Sequence, residues 1–586
     1  MKKDLVLFNG NIYTMNFLKP KVEALLIRKG KIIDIGNNAE IKSKANSKYE
    51  SIDLNGKVVL PSFIDSHVHL LGYAKSLIGI DLSNTKSKEE VIEKVKTRVE
   101  NTEPNVWILG YGWNENDWKE IKLPSKADLD KVCNKNPLVL FKKDGHSIWV
   151  NSVALKKADI NEHTLDPSGG KIVREYISKT PTGILKENAI YLVLKKIKKE
   201  NIEDILPTPV LNSSTTSKEI KIKSKRNIYG AVKTASKNFN KVGITSVHNM
   251  ESMNRQKILF DLNSEGELNL RIYSFFEQIE PEDLYDFKRN TKLDDRWTKI
   301  GGIKLFYDGS LGSRTAYMIE PYEDDENNYG IKVMEKEEVE RLIRSANQLG
   351  LNFAMHAIGD RANKEVLDIY ERVLKNYENE TVLRNCVYNY KNDYKNNCIK
   401  NTSKSMKIRK SERKKLRNRI EHVQILRKED FIRFKNLNLI ASMQPYHLAS
   451  DMKMAEKGWG ERCKWSYAWD KLVKNGVHMT FGSDCPVETI NPIRDLYVSI
   501  TRQREDGYPD GSWYPEHKLT LRRAIYSYTL EGAYASGDED IKGSINVGKL
   551  ADLVVLSENI FKISPKDILN IDVCYTILNG NIVYSK

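Results

Sequence analysis

At 586 residues, with 40% hydrophobic and 30% charged side chains, the chain is long enough for one large domain with satellites and ordinary for a globular fold. Its formal net charge of +15 invites a nucleic-acid reading, so the distribution of charge matters. Residues 376–418 carry twelve Lys/Arg against four Asp/Glu, about half of the excess in one polar segment, and no basic stripe lies on a recognisable nucleic-acid module.

The first ten residues lack a long apolar core and a small-residue cleavage site, so no signal peptide is expected. Residues 4–56 alternate short apolar runs with turns: Leu5–Phe8, Asn9-Gly10, Asn11–Thr14, Ala24–Ile27, Gly30 and Lys31–Gly36. The texture is that of antiparallel β, with Asn-Gly as a tight-turn signal. The far end returns to it in Gly548–Leu556 and Asn579–Tyr584. Two β segments too small for separate cores most simply pair into one β-sandwich, residues 1–56 with 540–586.

Between them, over residues 57–539, eight strand candidates are placed, most separated by helical patterns: Val58–Ile64, Gly243–His248, Leu270–Phe276, Gly302–Phe306, Asn352–His356, Arg419–His422, Leu439–Gln444 and His478–Asp484. The order reads as α/β of the (β/α)8 TIM-type barrel class. Residues 79–200 are too many for one crossover and form an inserted α/β subdomain. Residues 201–227 and 376–418 read as polar, mobile loops outside the catalytic centre. Six scattered cysteines, with neither paired metal spacing nor disulfide density, fit reduced thiols in the cytoplasm. No apolar run reaches the roughly 20 residues of a membrane span.

The run Val58–Ile64 leads into Asp65-Ser66-His67-Val68-His69. In extended backbone, residues i and i+2 share a face, so His67 and His69 can present their imidazoles to one metal ion. Two unrelated histidines at a strand end are the bland alternative. The other strand ends supply Lys304, His356, His422 and Asp484, each with its own bland role as core histidine, surface lysine or helix cap. Together, at equivalent positions of a barrel, they make the set that a two-metal hydrolytic site needs.

The string Pro61–His69 resembles the first-strand signature of the amidohydrolase superfamily, and Gly548–Leu556 resembles its closing strands. Asp144–Ser152, Lys304–Ala316, Met355–Ala362 and Phe481–Val487 are similar to its YtcJ-like branch, which includes N-substituted formamide deformylases. The resemblance spans nearly the whole chain apart from the two polar insertions. It implies that His67, His69 and Asp484 hold one divalent metal and His356 and His422 another, with Lys304, carboxylated by CO2, between them. A free ammonium has no lone pair for a metal, whereas a carbamate offers two oxygens. Imidazole and carboxylate ligands suit zinc, one or two ions per chain.

The resemblance further assigns Asp484 as proton shuttle, a neutral His146 as a donor to a carbonyl oxygen, and Asp308 and Arg314 to substrate binding. A surface ion pair is the alternative for Arg314, and packing is the alternative for His248. His163, His447, His478 and His517 receive no role. The expected activity is cleavage of an amide or N-formyl C–N bond by a metal-activated hydroxide, a bond other than a peptide bond. A cyclic-amidine deaminase and a non-catalytic nucleic-acid-binding scaffold are the alternatives. The partner expected is a small-molecule substrate, without nucleic acid or membrane, and a homodimer is left open.

Overall fold

The computed structural model describes residues 4–83, 85–120, 123–199, 217–294, 296–391 and 416–586. Its centre is a sheet of eight strands, hydrogen-bonded in chain order: Phe63–Val68, Ile244–Ser252, Arg271–Glu277, Thr298–Phe306, Asn352–Ala357, Arg419–His422, Ile440–Met443 and Met479–Phe481. Every neighbouring pair is parallel. The ring closes through a parallel bridge between Val68 and Cys485, with Asp484 N–H donating to His67 C=O at 2.7 Å and His69 N–H to Cys485 C=O at 2.8 Å. Closure forces the first and last strands together, and a Cβ at Gly482 would lie 2.5 Å from the His67 nitrogen. Only glycine admits that approach. Helices such as Lys336–Gln348 cover the outside, burying Val339, Leu342, Ile343 and Ala346 at helical spacing.

The run expected as one strand over Val58–Ile64 divides at Ser62. Val58–Pro61 pairs with Asn11–Tyr13 and with Leu553–Leu556, while Phe63–Val68 opens the barrel. Both pieces are wholly buried, so their continuous apolar character hides the change of sheet. The chain ends do join in one sandwich. A six-stranded sheet of Asn581–Ser585, Val573–Leu578, Leu553–Leu556, Val58–Pro61, Asn11–Tyr13 and Lys21–Val22 faces a four-stranded one. Leu7, Leu25, Ile27, Val59, Val555 and Ile577 fill the space between them. The sandwich is mixed rather than antiparallel, because Leu5–Phe8 runs parallel to Glu50–Asp53 and Asn11–Tyr13 parallel to Val58–Pro61. Asn9-Gly10 is a crossing between the two sheets and not a hairpin. The tight hairpin lies instead at Lys29-Gly30, both with φ above zero (51° and 79°), as a two-residue loop of that twist requires.

Between the first and second barrel strands a six-stranded mixed sheet is inserted, ordered Gly170–Arg174, Pro181–Glu187, Ser147–Val150, Leu138–Lys142, Ile108–Trp113 and Ile80–Asp81. The two segments expected as loops are in part helical: Ser217–Lys241 and Asp360–Lys391 are continuous helices. Polar composition was the misleading signal. Neither 217–229 nor 360–391 contains a glycine or proline, and Lys, Glu, Leu and Ala favour helix. The loop readings for 201–216 and 392–415 lie outside the described residues. No helix among the described residues is long and apolar enough to cross a membrane.

Candidate metal centre

The C-terminal ends of the barrel strands converge on one buried centre. His67 lies in the first strand and His69 just beyond it, Lys304 in the fourth, His356 in the fifth, His422 at the end of the sixth, and Asp484 three residues past the eighth. His422 and Asp484 are held at φ of 73° and 57°, in a region that non-glycine residues seldom occupy outside turns and functional sites. His67 Nε2 is 3.4 Å from Asp484 Oδ1 and His69 Nε2 is 3.5 Å from the same oxygen. The His356 and His422 rings lie 4.4 Å apart, and the His67 and His422 rings 5.0 Å. Lys304 Nζ is 3.4 Å from His67 Nε2.

A layer of oxygen atoms fixes these rings. His67 Nδ1 faces Glu421 Oε2 at 2.6 Å, His69 Nδ1 donates to Met250 C=O at 2.7 Å, and His422 Nδ1 to Gln444 Oε1 at 2.9 Å. A ring whose Nδ1–H is engaged by an oxygen presents the lone pair of Nε2, the arrangement usual for metal-ligating histidine. Glu421 in turn accepts from Arg419 Nε, and Arg419 donates to His248 Nδ1 at 2.8 Å and to Ser66 C=O. His248 thus stands mid-strand inside the barrel, in the packing role.

Burial sets the protonation states. It pulls the His67 imidazole down to about 4, with the charge of Lys304 adding to the effect. It also holds His356 and His422 well below the usual imidazole range. Burial opposes the Asp484 charge too, but the surrounding imidazoles, His67 foremost, keep that carboxyl well below the ordinary range. Burial lowers Lys304 as well, and among the described residues it has no ion pair. His69 differs: burial opposes its protonation, but Asp484 beside it raises its pKa. The neutral forms of His67, His356 and His422 beside an ionised carboxylate are the donor forms a divalent ion takes. Ligand atoms of His67, His422 and Asp484 lie within 4.8 Å of one another. The donor set fits a metal.

The residues expected to meet substrate divide. His146 does reach the centre, its ring 4.9 Å from that of His356. The expected neutral form is not found: burial opposes protonation, but Glu187, with Oε2 2.8 Å from His146 Nδ1, raises the pKa to about 9. His146 immediately precedes one strand of the insertion and Glu187 ends another, and both segments are tied to the loop after the fourth barrel strand. Ser310 and Ser313 donate to Asp144 Oδ2 at 2.9 and 2.7 Å, and Thr315 to Glu187 Oε1 at 2.6 Å. Asp308 is fully buried and accepts the backbone N–H groups of Tyr317, Ile358 and Gly359 at 2.8–3.0 Å. It clamps loops beneath His356 and does not face the cleft. Arg314 pairs with Asp324 at 2.8 Å and donates to Leu311 C=O. It too lies outside the residues lining the cleft.

Four residues close to the centre carried no role in the sequence reading. Glu421 and Gln444 hold the His67 and His422 rings, Glu277 Oε1 lies 3.8 Å from His69 Nδ1, and His447 Nε2 lies 3.5 Å from Asp484 Oδ2. A signal existed for Glu421, a charge inside a four-residue buried strand. Gln444 immediately follows the seventh strand, the position that is reactive elsewhere in the ring, and His447 lies in the first turn of the helix after it. The cleft above the centre is small, with about 60 Å³ of space that the centre of a water-sized sphere can occupy.

A model of the amidohydrolase family matches residues 50–389 and 402–584. The chain is 32% identical to the Arabidopsis thaliana protein LONG AFTER FAR-RED 3, over 99% of this chain and 91% of that one. It is 30% identical to the putative amidohydrolase YtcJ of Bacillus subtilis, over 98% of each. It is 25% identical to an N-substituted formamide deformylase of Arthrobacter pascens, over 100% of this chain and 99% of that one. A crystal structure of an uncharacterized metal-dependent hydrolase from Pyrococcus horikoshii superposes with a TM-score of 0.69 at 28% identity, covering 96% of this chain and 99% of the other. With a closed barrel, a buried histidine–aspartate centre at its C-terminal face and a family match across nearly its whole length, this chain belongs to the amidohydrolase family of metal-dependent hydrolases.

Proposed function

We propose that the protein hydrolyses a C–N bond, other than a peptide bond, in a small-molecule amide or N-formyl compound. The observation that carries this is the convergence of six side chains from five strand ends, with three of the imidazoles oriented through Nδ1 by oxygen acceptors. His67, His69 and Asp484 would hold one divalent ion, zinc by the chemistry of the donors, and His356 and His422 a second. Lys304, which burial biases toward the free amine, would add CO2 through Nζ, losing a proton to become a carbamate between the two sites. A divalent ion supplies a carbonyl-polarising Lewis acid and lowers the pKa of water. Asp484 accepts the proton of the attacking water and returns it to the leaving nitrogen. His146, protonated at neutral pH, donates from the insertion side of the cleft. Deformylation of an N-substituted formamide is the favoured case, supported by the relative of that name. The family match and the retained ligands do not favour the deaminase or the nucleic-acid scaffold.

The same reading divides the chain into a sandwich of residues 1–56 with 540–586 and a barrel of 57–539 carrying the 79–200 insertion, and assigns it to the cytoplasm. The test is elemental analysis of purified protein, followed by a screen of N-formyl amines, acyl-amino acids and cyclic amides, with Asp484→Asn as the control. The Asn side chain keeps an oxygen ligand but accepts no proton at neutral pH, so turnover should fall by about 10²–10⁴ while metal content falls less. A metal-free protein of full activity, or near-normal turnover in the Asn variant, contradicts the mechanism.

A further inference from the structure

The helix Pro445–Trp459, which follows the seventh strand, turns one face to the cleft. His447, Ser450, Asp451 and Met454 all line it, at the i, i+3, i+4, i+7 spacing of a single stripe. Its first member is the closest to the chemistry. The His447 side chain is only 9% exposed, and its ring is stacked against His422 at 5.9 Å between centroids. Its two nitrogens have opposite surroundings. Nδ1 lies 3.1 Å from the amide nitrogen of Gln424, which can only donate. With the Gln424 amide turned this way, Nδ1 accepts and the neutral ring carries its proton on Nε2. That Nε2–H is buried, makes no hydrogen bond, and lies 3.5 Å from Asp484 Oδ2.

A buried donor left without an acceptor is costly, and native folds seldom keep one idle. Here it lines the cleft beside Asp484, and an acyl group attacked by water that exchanges protons with Asp484 would lie next to that carboxylate. In hydrolysis of an amide the new negative charge appears on the carbonyl oxygen as water adds, and a fixed neutral donor at that point stabilises it. We propose that His447 is a catalytic residue whose Nε2–H donates to the carbonyl oxygen of the scissile amide as that oxygen becomes an oxyanion. His447 would then approach the substrate beside His422 and His146 beside His356. The role rests on the hydrolase reading above, but the tautomer and the location of the donor do not.

Two measurements separate the proposal from that reading. In ¹⁵N–¹H correlation spectra of the zinc-loaded protein, the histidine pattern that disappears in His447→Gln should be that of the Nε2–H tautomer. An Nδ1–H or doubly protonated pattern overturns the proposal whether or not any amide is cleaved. For turnover, His447→Ala should lower kcat by about 10²–10³, the loss usual for one oxyanion donor, with zinc content unchanged. His447→Gln, whose Nε2–H2 can reach the same point, should recover at least about tenfold of that loss. The loss in the Ala variant should be similar for anilides with good and poor leaving groups. Zinc lost in step with activity would make His447 a ligand, and a defect that vanishes with good leaving groups would make it the donor to nitrogen. Either result overturns the carbonyl assignment. Wild-type protein that binds zinc and cleaves no amide would count against the hydrolase reading and leave the spectroscopic test standing.

Discussion

Glu421 touches no substrate, yet its replacement by Gln should damage the metal centre more than that of any other residue outside the ligand set. Its carboxylate serves two donors at once: Oε2 accepts from His67 Nδ1 at 2.6 Å and Oε1 from Arg419 Nε. A glutamine has one oxygen and one NH2. If the oxygen stays on Arg419, the NH2 faces His67 Nδ1, which must then accept, and the ring proton moves to Nε2, the metal-facing atom. If the oxygen stays on His67, the NH2 meets the Arg419 N–H donor to donor. In both orientations Arg419, fully buried and paired with no other carboxylate among the described residues, loses its counter-ion. Removing one partner of a buried ion pair costs about 3–5 kcal/mol. Loss of a partner behind a ligand histidine lowers metal affinity by about 10–100-fold, or about 1.4–2.7 kcal/mol. Glu421→Gln should therefore melt well below wild type when metal-free, and a chelator-buffered zinc titration should show affinity reduced by that factor. Zinc affinity within about twofold of wild type, with an unchanged melting temperature, would refute the argument that His67 is oriented through Glu421.

Arg314→Ala should leave KM within a few-fold on any substrate the wild type accepts, because the guanidinium pairs with Asp324 and not with the cleft; a rise in KM of about a hundredfold, the scale of a lost charge-assisted bond, would restore its substrate role. Lys186 donates to Ser313 C=O at 2.7 Å, and burial, helped by the charge of Lys142, lowers its pKa to about 8. The unfolded chain then binds that proton more tightly, so between pH 8 and the ordinary lysine value near 10.5 stability should rise with pH. Melting curves of Lys186→Met should lack this rise, and parallel pH profiles for the two proteins would contradict the assignment. Replacing residues 381–414 by a short Gly/Ser bridge should leave turnover within a few-fold, since none of the six candidate metal ligands lies in that window; a folded, metal-loaded but inactive deletion would show that the basic segment serves the site.

The side chains that meet at the centre could be picked from the chain because each is tied to a local pattern. Strand periodicity ends at His67, Lys304, His356, His422 and Asp484, and a closed parallel barrel brings all strand ends to one face. The paired sandwich followed from the similar texture of the two chain ends, each without a core of its own. Other features depend on contacts between residues far apart in sequence, which no local pattern encodes. Ser62, where the chain leaves one sheet for the other, lies within an unbroken buried run. The protonated state of His146 follows from Glu187, 41 residues away, and the loop that holds both is tied to Asp144 from Ser310 and Ser313, 166 and 169 residues on. Arg314 found Asp324 in place of a substrate because the fold set its loop outside the cleft. His447 looked idle as one histidine in a helix. It gained a function when Gln424 fixed its tautomer and the eighth strand set Asp484 opposite its free N–H. Periodicity is a property of neighbouring residues, whereas protonation and pairing belong to whatever the folded chain packs against them.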